Sequence, residues 1–317
     1  MKLRVVVSNL TNPYYNVAVE NWLVAQPNDD SVTLYLWKNH RTVVIGQNQN
    51  PYSECDVERL IADGGYVMRR TTGGGAVYHD DGNLNFSFVA SPELYDQAKH
   101  FEVICLALKH FGIDAELSGR NDLTTGGRKF SGNAFSKGRN HWLHHGTLLI
   151  RGNVDDLSRY LRVKPSKLHK HGVASVQSRV VNLAELEPSL TSDNIVPHLF
   201  SAFQTVYGNT CERIDFEQIV KHPETEELIN KYSSEEWIYG RWRNFTAQKS
   251  HHFDWGEVEL SIKVDEKNKT ITDVSIATDS LDVELAEKVR CLLINASTSE
   301  APKTDDKILN DILSLIY

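Results

Sequence analysis

The 317-residue sequence has few cysteines, an acidic rather than a basic charge balance, and no long apolar run. Its four cysteines are widely spaced and form no Cys-x-x-Cys pair, which argues against a disulfide framework or a thiolate zinc site. The formal net charge of −8 is a poor match to a nucleic-acid-binding surface. No apolar run is long enough to span a bilayer, and no signal-peptide pattern precedes the first strand-like residues. We therefore expect a cytoplasmic protein with reduced thiols and without nucleic-acid or membrane partners.

The length predicts two domains, one large and one small. Strand-like alternation at residues 258–264 and 270–278 precedes helical apolar patterns at 285–292 and 308–316. These patterns indicate a small C-terminal α+β domain, and the polar residues 241–250 are interpreted as a linker. We place the large domain at 1–246 and the small domain at 247–317. The predicted fold class is α/β (α+β), with a mixed sheet in the large domain.

Two adjacent arginines, Arg69 and Arg70, run into three glycines at residues 73–75. Residues 84–88 alternate like a half-buried strand, so the glycine turn lies between β segments. A Rossmann fingerprint needs a glycine where Tyr78 stands, and the Gly-Lys-Ser/Thr of a P-loop is absent. Two interpretations stay open. One is a turn that contacts a ligand closely beside an arginine fork for carboxylate or phosphate, and the other is a glycine-rich hairpin with surface arginines.

A second pair of glycines, Gly126 and Gly127, predicts a tight hairpin between short strands. Strand alternation then places Lys129 and Ser131 on one face and Phe130 on the other. Lys129 is either a cation held toward a pocket or a solvated strand lysine. The carboxylate of Asp122 either holds a metal bound to phosphates or pairs with a nearby arginine.

Histidines cluster at residues 141, 144 and 145, but they do not predict a zinc site. Adjacent histidines on a strand face opposite ways, and no cysteine or carboxylate completes a ligand set. His145, beside Gly146, either lines the pocket or is a structural histidine. The basic residues 164–172 lack periodicity and are interpreted either as cover for an anionic ligand or as a solvated surface loop.

Six sequence blocks, in this order along the chain, resemble the lipoate–protein ligase A family. They are RRTTGGGAVYHD at 69–80, GRNDL at 119–123, RKFSG at 128–132, HHGTLL at 144–149, SVQSRV at 175–180 and WIYG at 237–240. Each block alone is a weak signal, whereas the ordered set is specific. The residues from Phe253 onward resemble the family's C-terminal accessory domain, so the resemblance covers nearly the whole chain.

The resemblance implies the biotin/lipoate ligase fold and a two-step acylation that uses ATP and Mg²⁺. Free lipoate and ATP give lipoyl-AMP and pyrophosphate, and a lysine amine of an acceptor protein then takes the lipoyl group. The implied acceptors are apo lipoyl domains of 2-oxoacid dehydrogenase E2 subunits and the glycine cleavage H protein. The implied enzyme is a monomer.

The resemblance also assigns site residues. Lys129 is the catalytic cation, placed to stabilise charge beside one carbonyl and one phosphate in both steps. The other assignments are Arg70, Gly75, Ala76, Val77, Tyr78 and Lys129 for ATP; Arg70, Gly73, Gly74, Lys129, Gly132 and His145 for lipoate; Asp122 for Mg²⁺; and Lys164, Lys167, Lys170 and Gly172 for a loop that covers the adenylate.

Three rival functions remain at the sequence level. A lipoyl or octanoyl transferase that uses a preformed adenylate or an acyl carrier protein would need no ATP. Biotin ligation is disfavoured because the Gly-Arg-Gly-Arg signature of that family is absent. A non-catalytic lipoyl-domain-binding protein is disfavoured because Lys129 and Arg70 are both retained.

Overall fold

The computed structural model describes residues 1–119, 121–162, 180–240, 247–265 and 267–317. The predicted covering loop, with Lys164, Lys167, Lys170 and Gly172, lies outside the described residues. So do residues 241–246 of the predicted linker and most of the block at 175–180.

The described strands fall into one large and two small sheets. In chain order they are β1 (Lys2–Val7), β2 (Ser31–Trp37), β3 (Thr42–Ile45), β4 (Tyr66–Arg69), β5 (Val77–His79), β6 (Asn83–Ala90), β7 (Glu116–Ser118), β8 (Asp122–Thr125), β9 (Arg128–Lys137), β10 (Trp142–Leu149), β11 (Cys211–Arg213), β12 (Ala247–Phe253), β13 (Gly256–Asp265) and β14 (Thr270–Thr278).

The described helices are mostly short, and the longer ones pack on the large sheet. In chain order they are α1 (Pro13–Ala25), α2 (Pro51–Glu54), α3 (Val57–Ala62), α4 (Gln97–Lys109), α5 (Val154–Tyr160), α6 (Leu183–Leu186), α7 (Val196–Tyr207), α8 (Phe216–Val220), α9 (Pro223–Ser233), α10 (Glu235–Tyr239), α11 (Leu285–Leu293) and α12 (Lys307–Leu313). None of them is both long enough and apolar enough to cross a membrane.

The large sheet has eight strands in the order β11-β1-β2-β6-β10-β9-β8-β7. β1 pairs in parallel with β2 and β11, whereas the neighbours from β2 to β7 are antiparallel, so the sheet is mixed as predicted. Helices α4 and α7 pack on one face through residues such as Phe101 and Phe203. Helix α1 covers the other face through Val19 and Leu23. Because both faces are covered, the central strands β2 and β6 are buried along their whole length.

Helix α1 begins where the sequence predicts it. Asn12 caps the helix by accepting a hydrogen bond from the amide of Tyr14 at 3.0 Å, and Pro13 occupies the first helical position. The helix then carries its buried residues, including Val17 and Glu20, toward the large sheet and the β4-β3-β5 sheet. This placement brings a carboxylate into the interior, which is rare unless the charge is paired.

The small sheet β4-β3-β5 supports the glycine turn. β3 pairs in parallel with β4 and antiparallel with β5, so the chain leaves β4 at Arg69, passes through the glycines and returns in β5. The turn therefore lies between strands, as its sequence context predicts.

The C-terminal residues form a three-stranded antiparallel sheet, β12-β13-β14, with its own apolar core against α11 and α12. The predicted linker is wrong at its end, because residues 247–253 form strand β12. Its polar sequence gives no strand pattern, and the strand forms through pairing with β13. All four cysteines are free, and burial raises the pKa of the Cys55 thiol to about 12, which keeps it neutral.

Candidate active site

A cavity of about 210 Å³ lies between helix α1, the glycine turn and strands β9 and β10. Apolar side chains such as Val17, Val44 and Met68 form much of its wall. Ionisable and polar groups stand at separate places in it. The predicted site residues that line it are Arg70, Gly74, Gly75, Ala76, Val77, Lys129, Gly132 and His145.

Arg70 organises the glycine turn from within. Arg70 is only 7% exposed, and its guanidinium donates to the carbonyl oxygens of Gly73 at 2.7 Å and Gly75 at 2.9 Å. Its Nε donates to the hydroxyl of Thr72 at 3.0 Å. Burial lowers the pKa of Arg70 to about 10, an effect partly opposed by the charge of Glu20, so the guanidinium stays charged at neutral pH. Most of its hydrogen-bonding capacity is therefore spent on the turn itself.

The contacts of Arg70 determine how the peptide planes of the glycine turn are oriented. In a trans peptide the carbonyl of one residue and the N–H of the next point in opposite directions. Since Arg70 draws in the Gly75 carbonyl, the amide of Ala76 is directed away from the guanidinium. Within the described part of the chain, no acceptor is found for the amides of Gly75 and Ala76. Both residues line the cavity, so these N–H groups are available to a ligand oxygen.

Gly73 and Gly74 meet the C-terminal domain rather than open space. The amide of Gly74 donates to the carbonyl of Ser280 at 3.1 Å, and Gly74 has φ 97°, a conformation that favours glycine. A Cβ on Gly73 would collide with the Ser280 carbonyl and the backbone of Leu281. Gly73 is not among the cavity-lining residues. The close approach at Gly73 therefore serves a domain contact that the sequence did not indicate.

Arg69, the neighbour of Arg70, has a structural role. It is almost fully buried and donates to the carbonyls of Gln49 at 2.7 Å and Ile238 at 2.6 Å. The indole N–H of Trp237 donates back to the Arg69 carbonyl at 3.0 Å. Arg69 thus ties the residues after β3 to helix α10, and only Arg70 of the pair lines the cavity.

Lys129 extends from the β8–β9 hairpin into the cavity. Gly126 and Gly127 close that hairpin with φ of 54° and 74°, as their sequence predicts. Lys129 lines the cavity, and a Cβ on Gly132 would lie 3.1 Å from its Nζ. The ammonium forms an ion pair with Asp122 at 2.8 Å, and the Lys129 side chain is 40% exposed. It is therefore a cation held on a strand but free to move toward a ligand.

The prediction that Ser131 shares the face of Lys129 is wrong. Strand β8 pairs Leu123 with Ser131 and then Thr124 with Lys129, so Phe130 is an extra residue in the ladder. Because of this register shift, the side chains from Lys129 to Ser131 do not alternate between the two faces as in a regular strand. Lys129 and Gly132 line the cavity, whereas Phe130 packs in the core and Ser131 is buried away from the cavity wall.

The other end of the cavity contains a buried carboxylate. Ala134, which pairs with His145, lies five residues after Lys129, a distance of roughly 15 Å along a strand. His145 Nδ1 lies 2.9 Å from an oxygen of Glu20, which is only 1% exposed. The hydroxyl of Ser87 also donates to Glu20, at 2.5 Å. The cavity thus has a cation near one end and a negative charge near the other.

His79, on strand β5, adds a neutral imidazole to the cavity wall. Its Nδ1 lies 3.2 Å from the amide nitrogen of Asn39. Burial, aided by the positive charge of Arg70 and by His145, lowers the pKa of His79 to about 3. His79 is therefore uncharged at neutral pH. His79, Glu20 and the cavity-lining Trp37 and Asn133 are site residues that the sequence did not identify.

His144 and His145 face opposite sides of β10, as alternation predicts. His144 is buried against His100, with their Nδ1 atoms 3.2 Å apart, and its Nε2 lies 2.9 Å from Asn133. Burial lowers the pKa of His144 well below its usual value. No group of three or more metal-binding side chains occurs among the described residues.

Two further predicted site residues, Asp122 and Tyr78, do not line the cavity. Asp122 contacts Lys129 rather than an arginine, and its half-exposed carboxylate is not part of a protein cage for a metal. A single carboxylate fits a Mg²⁺ ion that takes its remaining ligands from phosphates and water. Tyr78 is buried, with its ring 5.5 Å from that of Tyr160, and it does not line the cavity.

Known proteins resemble this chain over most of its length. The family model of the lipoyl protein ligase A/B catalytic domain matches residues 12–204, and that of the bacterial lipoate protein ligase C-terminus matches residues 243–303. A lipoate-protein ligase A of Psychrobacter cryohalolentis is 40% identical over 297 residues, which cover 92% of this chain and 87% of the relative. The chain belongs to the lipoate–protein ligase A family.

Solved structures of lipoate–protein ligases share the fold. P. falciparum LipL1, solved in complex with lipoate, superposes with a TM-score of 0.83 at 31% identity and covers 98% of both chains. The bi-partite lipoate protein ligase of Thermoplasma acidophilum, studied with its E2 lipoyl domain, gives a TM-score of 0.67 at 26% identity, over 78% of this chain and 100% of its own. A lipoate-protein ligase A bound with ATP gives 0.63 at 27% identity, over 75% of this chain and 98% of its own.

These likenesses confirm the family and the fold class that the sequence blocks predict. As a lipoate–protein ligase A family member, the protein is a ligase enzyme, and its mixed large sheet and small C-terminal sheet are those of the family's structures.

Proposed function

We propose that this lipoate–protein ligase activates free lipoate with ATP and transfers the lipoyl group to a lysine of an acceptor protein. The observation that carries the proposal is the cavity itself. It has apolar walls, loop amides without an acceptor among the described residues, and a movable cation. The relatives solved with lipoate and with ATP support both substrates.

The charged side chains of the cavity orient the lipoate molecule through its carboxylate. A carboxylate beside the buried Glu20 would meet a like charge in a site of low dielectric, which is strongly unfavourable. The lipoate carboxylate therefore lies toward Lys129, with its carbon chain along Val17, Val44 and Met68. This orientation brings the reacting carboxylate to the turn whose amides are free.

In the first step an oxygen of the lipoate carboxylate attacks the α-phosphorus of ATP. The bond from that phosphorus to the bridging oxygen breaks, pyrophosphate leaves, and lipoyl-AMP remains. Lys129 stabilises the negative charge that develops on the phosphoryl oxygens, and the amides of Gly75 and Ala76 donate to the nucleotide. We assign ATP contacts to Arg70 and Val77 as well, with Arg70 acting mainly by holding the turn, and for Tyr78 we keep a contact through its backbone only, because its buried side chain does not line the cavity.

In the second step the neutral amine of the acceptor lysine attacks the carbonyl carbon of lipoyl-AMP. The bond from carbon to the phosphate oxygen breaks, AMP leaves with the electron pair, and the nitrogen loses a proton to water. Lys129 lies beside the same carbonyl and phosphate, so it serves both steps. Gly132 leaves room for its ammonium, and we assign lipoate contacts to Gly74 and His145 in addition, but not to Gly73, which faces the C-terminal domain and does not line the cavity.

The proposed acceptors are apo lipoyl domains of 2-oxoacid dehydrogenase E2 subunits and the glycine cleavage H protein. The Thermoplasma acidophilum ligase, studied with its E2 lipoyl domain, supports the first of these. We further propose a cytoplasmic monomer, with domains at 1–246 and 247–317. Residues 164–172, including Lys164, Lys167, Lys170 and Gly172, are proposed to cover the adenylate and slow its hydrolysis.

Mg²⁺ would neutralise phosphate charge when bound with the nucleotide. Asp122 is the proposed protein ligand, and its ion pair with Lys129 keeps it close to the site of phosphoryl attack.

The deciding experiment measures the intact mass of an apo lipoyl domain incubated with this protein and free lipoate, with and without Mg-ATP. A lipoyl mass gain only with Mg-ATP is expected. A parallel reaction supplies lipoyl-AMP or octanoyl acyl carrier protein in place of lipoate and ATP. Gain in the parallel reaction but none from free lipoate would make the protein a transferase and overturn the proposed activation step.

A further inference from the structure

A buried chain of hydrogen bonds joins the acid-binding cavity to the glycine turn. It runs from the Glu20 carboxylate to His145 at 2.9 Å, from His145 Nε2 to the Thr72 hydroxyl at 2.9 Å, and from that hydroxyl to Arg70 Nε at 3.0 Å. Thr72 has no exposed surface and does not line the cavity. Neither the sequence blocks nor the likeness to known ligases gives this residue a role of its own.

The direction of each hydrogen bond in the chain can be deduced. Arg70 Nε carries a hydrogen and can only donate, so the Thr72 oxygen accepts from it. The single hydroxyl hydrogen of Thr72 is then available to His145 Nε2, which is the other hydrogen-bond partner of Thr72 among the described residues. The arrangement in which no hydrogen lacks an acceptor has His145 accepting at Nε2 and carrying its own hydrogen on Nδ1, where the Glu20 carboxylate accepts it. The arrangement uses every hydrogen once.

We propose that Thr72 is a positioning residue for nucleotide binding, whose hydroxyl holds Arg70 in register with the Glu20–His145 pair. Arg70 in turn draws in the carbonyls of Gly73 and Gly75, which directs the amide of Ala76 away from the guanidinium. Loss of the hydroxyl leaves His145 Nε2 without its buried partner, leaves Arg70 Nε with its longer contact to the Gly73 carbonyl at 3.3 Å, and loosens the turn. The proposal rests on the proposed function in one respect, namely that the turn binds ATP.

The sequence provides a matched control beside the test position. Thr71 is half-buried and takes no part in the hydrogen bonds that link Glu20 to Arg70. Thr71→Val therefore changes the same residue type one position away. Thr72→Val removes the hydroxyl at nearly constant volume, whereas Thr72→Ser keeps it. Thermal unfolding of all three variants shows that each is folded before binding is compared.

The first measurement is the dissociation constant for α,β-methylene ATP by calorimetry, together with the KM values for ATP and lipoate. Thr72→Val is expected to weaken nucleotide binding about tenfold or more, the effect of losing a hydrogen bond to a charged group. Thr72→Ser should restore affinity, Thr71→Val should match wild type, and the KM for lipoate should change less than the KM for ATP. A Thr72→Val variant that is folded and binds the analogue as wild type does would overturn the proposal.

The second measurement needs neither substrate nor activity. The ¹⁵N chemical shifts of the His145 ring, assigned by comparison with His145→Gln, report which nitrogen carries the proton. A neutral ring with the proton on Nδ1 is expected in wild type and Thr72→Ser. A proton on Nε2, in a neutral or a doubly protonated ring, would overturn the deduced chain.

The two measurements separate the proposals. If wild type does not bind the nucleotide analogue while His145 has the expected tautomer, the proposed ATP function fails and the hydrogen-bonded chain stands.

Discussion

The two sides of the cavity hold their cations in different ways. On the side of the glycine turn, Arg70 is buried and its donors are taken up by the carbonyls of Gly73 and Gly75 and the hydroxyl of Thr72. On the side of the β8–β9 hairpin, Lys129 is 40% exposed and pairs with Asp122, its one ion-pair partner in the described part of the protein. Both cations line the same cavity, yet one is part of the framework and the other can follow a reacting group.

The difference shows how one site can serve two chemical steps. A turn that must present amides to a nucleotide benefits from fixed geometry, because preorganised donors cost no reorganisation during the reaction. A cation that must stabilise charge first on a phosphate and then on a carbonyl benefits from freedom to move. Arginine, with its planar fork, and lysine, with its flexible stem, suit these two roles.

Substitutions on the Lys129 side of the cavity, where the cation can move, should have the largest effect on the reaction rate. Lys129→Ala is expected to lower the rate of lipoylation by about 10²–10³, the usual cost of removing one electrostatic stabiliser. Its thermal midpoint should stay near that of wild type, because a partly exposed ion pair contributes little. Single-turnover lipoylation measures the rate, and Lys137→Ala on the same strand is the control. Normal acylation by Lys129→Ala would contradict the mechanism.

Substitutions on the Arg70 side of the cavity, where the cation is fixed, should have the largest effect on the free energy of unfolding. Lysine has one side-chain nitrogen in place of three, so Arg70→Lys cannot keep the bonds to the Thr72 hydroxyl and the Val44 carbonyl as well as those to the turn, and buried acceptors are left unsatisfied. We expect a loss of about 3 kcal/mol in the free energy of unfolding. Urea denaturation measures it, with the exposed Arg59→Lys as the matched control. If Arg70→Lys instead kept full stability and lost only rate, the contrast between the two sides would disappear.

The pH dependence of stability sharpens the contrast, because His79 belongs to the fixed side. Burial first, and then Arg70 and His145, lower its pKa to about 3, while the unfolded chain protonates near pH 6.5. Between these values the unfolded state binds more protons, so stability falls as the pH falls, by about 1.4 kcal/mol per pH unit.

His79→Gln should reduce that slope below pH 6.5, measured as urea midpoints at pH 7, 6 and 5. The exposed His252→Gln should leave it unchanged. An equal slope in wild type and His79→Gln would show that His79 is not held neutral by the fold.

The smallest expected effect concerns Asp122. Asp122→Asn should change the free energy of unfolding by less than about 1 kcal/mol, because the ion pair with Lys129 is partly exposed. Activity measured against Mg²⁺ concentration then tests the proposed ligand role. A higher Mg²⁺ requirement is expected, and an unchanged requirement would leave Asp122 as a partner of Lys129 alone.

Local signals in the sequence predicted the local structure well. The glycine pair before Arg128 specifies a two-residue hairpin, and the strand patterns on either side of residues 73–75 place that turn between strands. The apolar stripe from Phe101 to Leu108 specifies helix α4 and its buried face. In each case the information lies within a few residues, which is the range over which turn chemistry and periodicity act.

The electrostatic half of the site could not be predicted in this way. Glu20 meets His145 across 125 residues, and a charge on a mostly apolar helix face gives no local sign of its partner. Gly73 looked like a position for ligand approach, but the C-terminal domain occupies the space beside it. The extra residue at Phe130 also escapes prediction, because a register shift depends on the partner strand.

The peptide between Gly73 and Gly74 has one further consequence. Its carbonyl accepts from Arg70, and its N–H donates to Ser280 of the C-terminal domain. One rigid plane thus bonds to two domains, and a rotation that releases one bond releases the other. Any ligand that favours this orientation must also favour the docked C-terminal domain, and docking must strengthen binding of that ligand by the same factor. Through this single peptide, occupancy of the cavity and the position of a domain outside it are reciprocal quantities.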